Sequence, residues 1–323
     1  REEVSQSVLM QNDADWRPTR EIELVAGTPA GGGQDRPARA LIEVLTSLKL
    51  VEQPVKLTNI PGRGGGNAWD YLRGKSGDAH VLAINSPTII SNKLLGVSAY
   101  DYAALTPLAN LYTEYPIFIV RAGSPLADAA ALERRLKADI KGLRVALATA
   151  IGNTNHIALA QVARHAGCDP RALTIDVFDS ARYAIAHVVE GGAELGVITA
   201  VSAVPELTSG ALSALMISAP QRLDRLFAGV PTLVESGVDC KIGMWRGVIA
   251  PAGIAPAATV FWHGVLKQAT ATEQWRAELA RKYWANTFMT GDALAAFLEA
   301  ERAIMSGALD ELGLLPAASP GSA

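Results

Sequence analysis

The chain has 323 residues, more than one hydrophobic core usually spans, so two domains are expected, each with its own core. Apolar residues make up 49% and charged residues 19%, yet no uninterrupted apolar stretch approaches the roughly 18–20 residues that a membrane helix needs. A formal net charge of −3 excludes the basic footprint of a nucleic-acid binder, and Arg134-Arg135 reads as a solvated helix face.

The polar stretch Arg1 to Arg20 lacks the apolar segment of a secretory signal, which fits a cytosolic protein or an exported one already processed. The apolar run Ile22-Glu23-Leu24-Val25-Ala26 then passes through Gly27-Thr28-Pro29-Ala30-Gly31-Gly32-Gly33-Gln34-Asp35 into Arg36-Pro37-Ala38-Arg39, which reads as strand, glycine turn, helix. Glycines leave backbone N–H groups uncovered and a helix start adds unpaired donors with partial positive charge, so the turn has the form of a cradle for a carboxylate or a phosphate. The alternative is a turn that only lets a helix pack tightly on a strand. A P-loop needs Gly-Lys-Ser/Thr where this chain has Gly33-Gln34-Asp35, and a dinucleotide turn needs a third glycine that is absent.

The unit repeats with strand Val55–Asn59 and turn Ile60-Pro61-Gly62-Arg63-Gly64-Gly65-Gly66, and again with strand His80–Asn85, turn Ser86-Pro87-Thr88 and helix Ile89–Leu95. Strands alternating with helices imply a mainly parallel sheet with ligand-facing loops at the carboxyl ends of its strands. Past strand Pro116–Val120 the alternation restarts with helix Ala127–Lys137, strand Leu143–Ala148, turn Thr149-Ala150-Ile151-Gly152-Asn153-Thr154-Asn155-His156 and helix Ile157–His165, with Asn153 or Thr154 suited to cap it. Strands Leu173–Val177, Leu195–Ile198 and Ala214–Ser218 and helix Ala181–Glu190 complete this second lobe. Around Ile242–Pro251 the chain is expected to return to the first lobe, where helices Ala257–Ala269, Glu273–Lys282 and Gly291–Leu312 pack. Two crossings make a clamshell with a hinge.

No catalytic constellation is visible. The histidines His80, His156, His165, His187 and His263 lack metal spacing, and His165 with Cys168 supplies only two ligands. Cys168 and Cys240 read as separate buried thiols, with a disulfide between them as the alternative, and Ser86 lacks the Gly-x-Ser-x-Gly elbow, so its hydroxyl reads as a ligand donor or a helix cap. Trp69, Trp245, Trp262, Trp275 and Trp284 read as core residues, with Trp245 able to wall a cleft. No metal and no cofactor are expected.

The order of motifs resembles the solute receptors of tripartite tricarboxylate transporters, the Bug receptors. The family's Pro-x-Gly-Gly-x-x-Asp-x-x-x-Arg is similar to Pro29–Arg39, its Asn and Pro-Gly-x-Gly-Gly to Asn59 and Pro61–Gly65, and its Asp-Gly-Tyr-Thr-Leu to Asp78–Leu82. Further on, Gly152–His156 resembles its Gly-x-x-x-His, Arg222 with Pro231–Gly237 its Arg…Pro-Thr-x-x-Glu-x-Gly, and Trp245–Gly253 its Trp-x-Gly-x-x-Ala-Pro-x-Gly. One departure is Phe178-Asp179-Ser180 where the family usually has Tyr-Lys-Gly. An acid there repels a carboxylate unless paired, so a ligand with a donor or amine to meet Asp179 is expected.

The resemblance implies an α/β, type II-like, two-lobed periplasmic-binding-protein clamshell, each lobe a mainly parallel sheet flanked by helices. Lobe 1 is expected at 21–121 plus 244–315 and lobe 2 at 122–243, with 1–20 and 316–323 as flexible ends. It implies a periplasmic, monomeric, non-enzymatic receptor in mature form that captures a small organic acid in the interlobe cleft and delivers it to a two-subunit membrane permease. An enzyme using the same anion site, such as a phosphate-dependent transferase, and a ligand-binding sensor remain the alternatives. The residues expected to bind ligand are Pro29, Ala30, Gly31, Gly32, Asn85 and Ser86 in the first lobe, and Thr149, Gly152, Asn153, Thr154 and Asn155 in the second, with Asp179 and Ser180 at the rim. Gly33 and Asp35 read as supports of the first turn.

Overall fold

The computed structural model describes residues 15–317. Its elements in chain order are β1 (Ile22–Ala26), α1 (Asp35–Ser47), β2 (Val55–Asn59), α2 (Gly66–Arg73), β3 (Val81–Asn85), α3 (Thr88–Leu94), β4 (Thr106–Glu114) and β5 (Pro116–Arg121). They continue with α4 (Ala129–Asp139), β6 (Arg144–Ala148), α5 (Thr154–His165), β7 (Thr174–Phe178), α6 (Ala181–Val189), β8 (Leu195–Thr199), α7 (Val204–Ser209) and β9 (Leu212–Ile217). The last are β10 (Met244–Ala250), α8 (Pro256–Thr270), α9 (Glu273–Lys282), β11 (Ala285–Met289) and α10 (Gly291–Glu311).

Two compact units result. Unit 1 holds the chain up to Tyr112 with Trp245–Arg281 and Asn286–Ala300, and unit 2 holds Thr113–Met244, Lys282–Ala285 and the chain from Glu301 onward. A six-stranded sheet has the order β11-β4-β10-β3-β1-β2, and a five-stranded sheet the order β7-β6-β8-β5-β9. β1 pairs in parallel with β2 and β3, and β6 with β7 and β8, as strands joined by helical crossovers do. β10 is antiparallel to β3, and β5 to β8 and β9. The sheets are therefore mixed where the sequence pattern suggested mainly parallel ones, because β5 and β10 arrive without a helix immediately before them. β5 lies in the second sheet, so the strand expected at the end of lobe 1 belongs to unit 2.

The chain passes between units more often than the two crossings expected. Lys282–Ala285 belongs to unit 2, where the Tyr283 ring meets Phe227 edge-on at 4.9 Å and carries the Arg225 guanidinium 4.1 Å from its centroid. Strands β4 and β11 were not foreseen: β4 carries Pro107 and Asn110, and β11 is short and only partly buried, so neither shows a clear alternation.

In unit 1 the apolar stripe Leu41, Val44 and Leu45 of α1 recurs at helical spacing and is buried with Leu24 and Val25 of β1. Trp69, Trp245, Trp262, Trp275 and Trp284 are all buried as expected, and the indoles of Trp69 and Trp262 donate to Ile84 O and Ala79 O at 3.0 Å. In unit 2 Ile117, Ile119, Ile198, Ile217 and Phe227 share one apolar cluster. Cys168 and Cys240 are free thiols, and burial raises the Cys240 pKa.

Of the two ends expected to be flexible, 1–14 and 318–323 lie outside the described residues. The described part of the first is docked: Trp16 packs edge-on against His80 at 5.3 Å and Phe261 at 5.4 Å, and Arg20 pairs with Asp78 at 2.7 Å. An aromatic anchor within a polar stretch is enough to hold it.

Candidate functional site

The first glycine turn joins β1 to α1 in unit 1, and most of its polar groups face inward. The Thr28 hydroxyl oxygen accepts the N–H of Gln34 at 3.2 Å and of Asp35 at 3.1 Å. Asp35 accepts the Gly31 N–H at 2.8 Å, Arg39 Nε at 2.7 Å and Asn59 Nδ2 at 2.9 Å. Burial alone would raise the pKa of that carboxylate, but these hydrogen bonds together outweigh it and hold it below its ordinary value. The buried Gln34 amide accepts from Gly27 N–H at 2.9 Å and fits against Gly65, whose φ of +105° and lack of a Cβ admit it: a Cβ would stand 2.6 Å from Gln34 Nε2.

This wiring alters the expected set of donors. Gly31 and Gly32 were expected to face a ligand, yet the first N–H is bound by Asp35 and the second by Pro29 O at 3.0 Å. Pro29 and Ala30 are exposed, and among the described residues the N–H groups of Ala30 and Gly33 have no partner. Gly33, first read as a support, thus presents a donor, whereas Asp35 is the support it was read to be.

Parallel pairing of β1 with β3 runs to Val25↔Ala83, which brings Asn85 level with Gly27. Asn85 and Ser86 are buried. Asn85 Oδ1 accepts the Ser86 N–H at 3.0 Å and its Nδ2 is free to donate. The Thr88 hydroxyl donates to Gly64 O at 2.7 Å, so across the 2.6 Å contact between the Ser86 and Thr88 hydroxyls Ser86 is the donor. Ser86 is left with acceptor capacity, where a ligand donor or a helix cap was expected of it, and no side chain caps α3.

Arg246 is the residue the sequence reading missed. It lies on β10 with only 9% of its surface exposed, and a Cβ built on Gly33 would stand 2.7 Å from its Nη2. Its Nε has no partner, and no ion pair reaches it among the described residues. The available signal was an arginine within the apolar strand Met244-Trp245-Arg246-Gly247-Val248, since an arginine in such a run is rarely buried without a task.

In unit 2 the turn after β6 leads into α5. Asn153 caps the helix, its Oδ1 accepting the His156 N–H at 3.0 Å, while its Nδ2 and Asn155 Nδ2 donate to Ala148 O at 3.0 and 2.6 Å. His156 Nδ1 accepts the Gly152 N–H at 2.9 Å, so the imidazole holds the turn as a neutral acceptor, and burial pushes its pKa from 6.5 down to about 4. Gly152 therefore keeps no free donor. The N–H groups of Thr154 and Asn155 have no partner among the described residues, and Thr154 Oγ1 and Asn155 Oδ1 are buried and unpaired. A buried hydroxyl beside two open N–H groups at a helix N-terminus is the donor set that an anion accepts from. Thr149 is exposed at the start of the turn.

Asp179 is exposed and unpaired, so water screens its charge, and Ser180 caps α6 by accepting the Tyr183 N–H at 3.4 Å. Among the described residues no group of three or more His, Cys, Asp or Glu side chains could hold a metal ion, and no helix is long and apolar enough to cross a membrane.

Known proteins share this organisation. Residues 38–314 match the model of the tripartite tricarboxylate transporter family receptor, TctC. Protein BugT of Bordetella pertussis is 24% identical over 305 residues, covering 93% of this chain and 91% of that protein. A TctC solute binding protein from Polaromonas, solved without ligand, is similar with a TM-score of 0.78 at 25% identity, covering 91% of this chain and 99% of its own. An R. palustris structure with adipate also reaches a TM-score of 0.78, at 21% identity, covering 94% of this chain and all of its own (100%). The chain belongs to the tripartite tricarboxylate transporter receptor family, the Bug-type solute-binding proteins, and carries their two-lobed α/β fold.

Proposed function

We propose that this receptor is periplasmic, captures a small organic carboxylate and hands it, chemically unchanged, to a two-subunit membrane permease. The observation that carries this is the open N-terminus of α5. There the N–H groups of Thr154 and Asn155 and the Thr154 hydroxyl all lack a partner among the described residues. One carboxylate satisfies all three, and charge-assisted hydrogen bonds of about 1.5–3 kcal/mol each hold it without a covalent step. Asn155 Oδ1, an unpaired acceptor, takes a ligand hydroxyl or a bridging water.

In unit 1 the N–H groups of Ala30 and Gly33 and the Asn85 amide are a second set of donors suited to an acid or polar group. Pro29, Gly31, Gly32, Ser86, Gly152 and Asn153 keep the turns in shape, Thr149 lies beside the carboxylate, and Asp179 and Ser180 stand at the rim. The adipate-bound relative of the same fold supports a carboxylate of this size.

A thermal-shift screen against di- and tricarboxylates, aromatic acids, amino acids and nucleotides tests this. A ligand at 100 times its Kd stabilises the native state by about 2.7 kcal/mol, a shift of several degrees. The expected result is a rise confined to carboxylates, with the acid recovered intact. A rise with nucleotides alone contradicts the proposal.

A further inference from the structure

We propose that unit 1 carries an inorganic anion site at Arg246, fitted to a halide such as chloride. The site stands on unit 1 alone and holds whether or not the carboxylate-receptor reading does. Arg246 is only 9% exposed on β10, its Nε is sealed from solvent without a partner, and no ion pair reaches it among the described residues. Arginine does not shed its proton to relieve burial, and a charge buried without a counter-charge is costly.

The chain does not supply that counter-charge nearby. Asp35, two residues on from Gly33, already accepts from Gly31, Arg39 and Asn59. The strands flanking β10 are β3 and β4. β3 contains no acid, and the one acid of β4, Glu114, is its last residue, whereas Gly247 lies against Ala109 and Asn110.

The surroundings set the size and charge of the anion. The backbone of Gly33 is pressed against the guanidinium, so that a Cβ there would stand 2.7 Å from Nη2 and 3.6 Å from Cζ. Because Nε is sealed, the side-on Nε and Nη fork that grips a carboxylate in two hydrogen bonds is out of reach, which leaves the Nη end. The Gly33 N–H beside it has no partner among the described residues. A spherical ion accepts from such donors in any direction, and one negative charge balances the one positive charge. A divalent anion would add an unmatched charge next to the ionised Asp35.

The test melts the ligand-free protein at constant ionic strength while sodium methanesulfonate is exchanged for sodium chloride, bromide or acetate. Halide at about ten times its Kd is expected to raise the wild-type melting temperature by about 3 °C, with saturation. Arg246→Gln is expected to lose that rise, Arg246→Lys to keep part of it, and Gly33→Ala, which displaces Nη2, to weaken the apparent halide affinity several-fold. Crystals grown without halide and soaked in bromide are expected to show an anomalous peak within hydrogen-bond distance of an Arg246 Nη atom. Where Arg246→Gln does not fold, the Gly33→Ala protein and the bromide peak decide.

A wild-type protein whose melting temperature ignores halide overturns the inference, and so does a bromide peak only at other places. A peak at Arg246 with no effect in solution marks an adventitious ion only and overturns it as well. A rise with acetate but not with halides assigns the arginine to an organic acid and likewise overturns it. None of these outcomes decides carboxylate binding at the start of α5, which Thr154→Val tests.

Discussion

The backbone N–H of Gly152 donates to Nδ1 of His156 over 2.9 Å, so the imidazole closes the turn before α5 as a neutral acceptor. Its pKa is pushed by burial from 6.5 to about 4. Between those values the unfolded chain binds a proton that the folded protein excludes, so stability rises with pH across the window and is lost as pH falls from 6.5 toward 4. The expected loss reaches about 3 kcal/mol at the lower end. Urea midpoints measured across that range check it. His156→Gln is expected to flatten most of the slope, with the remainder from His263, which burial also depresses. A wild-type midpoint that stays constant over the window contradicts the assignment.

Asp35 ties the first turn together through Gly31, Arg39 and Asn59, and its carboxylate is held below its ordinary pKa. Its contribution is therefore present above the ordinary carboxylate range and lost as pH falls through the folded-state value, below the window set by His156. Arg39 is largely exposed, which weakens its share. Asp35→Asn is expected to lower stability at neutral pH by about 2 kcal/mol, through mismatched donors in a buried turn. Chemical denaturation that gives wild-type stability for this variant counts against the role.

Thr154 Oγ1 is buried without a partner among the described residues, so replacing it breaks no hydrogen bond within the protein. Thr154→Val keeps the shape and is expected to match or slightly exceed wild-type stability while weakening carboxylate binding about tenfold. Denaturation and titration of the same preparation separate the two effects. Unchanged affinity assigns the hydroxyl to structure alone.

Trp16 anchors the described start of the chain on His80, Phe261 and Trp262. Trp16→Ala is expected to destabilise the protein by about 1–3 kcal/mol. A melting temperature equal to the wild type's contradicts the docking.

The sequence exposed the alternation of strands and helices and the turns before α1 and α5, because glycine, proline and asparagine at strand ends are local signals. It did not expose which N–H groups those turns keep open. Gly31 and Gly152 looked like donors, but Asp35 and His156, each four residues after its glycine and in the first turn of the helix that follows, take them. Arg246 was hidden for a related reason: its partnerless state is a property of three-dimensional surroundings, and the strand that carries it returns from far along the chain. Likewise the antiparallel sense of β5 and β10 follows from how the chain enters them, which composition does not record.

The central claim is that the chain binds a small carboxylate through the start of α5 and leaves it unchanged. Calorimetric titration of wild type and Thr154→Val with the dicarboxylates from succinate to adipate tests it most directly. The account predicts saturable one-to-one binding of at least one of these acids to the wild type, weaker binding to the variant, and intact acid on recovery. Absence of binding to every carboxylate, or conversion of the bound acid, contradicts it.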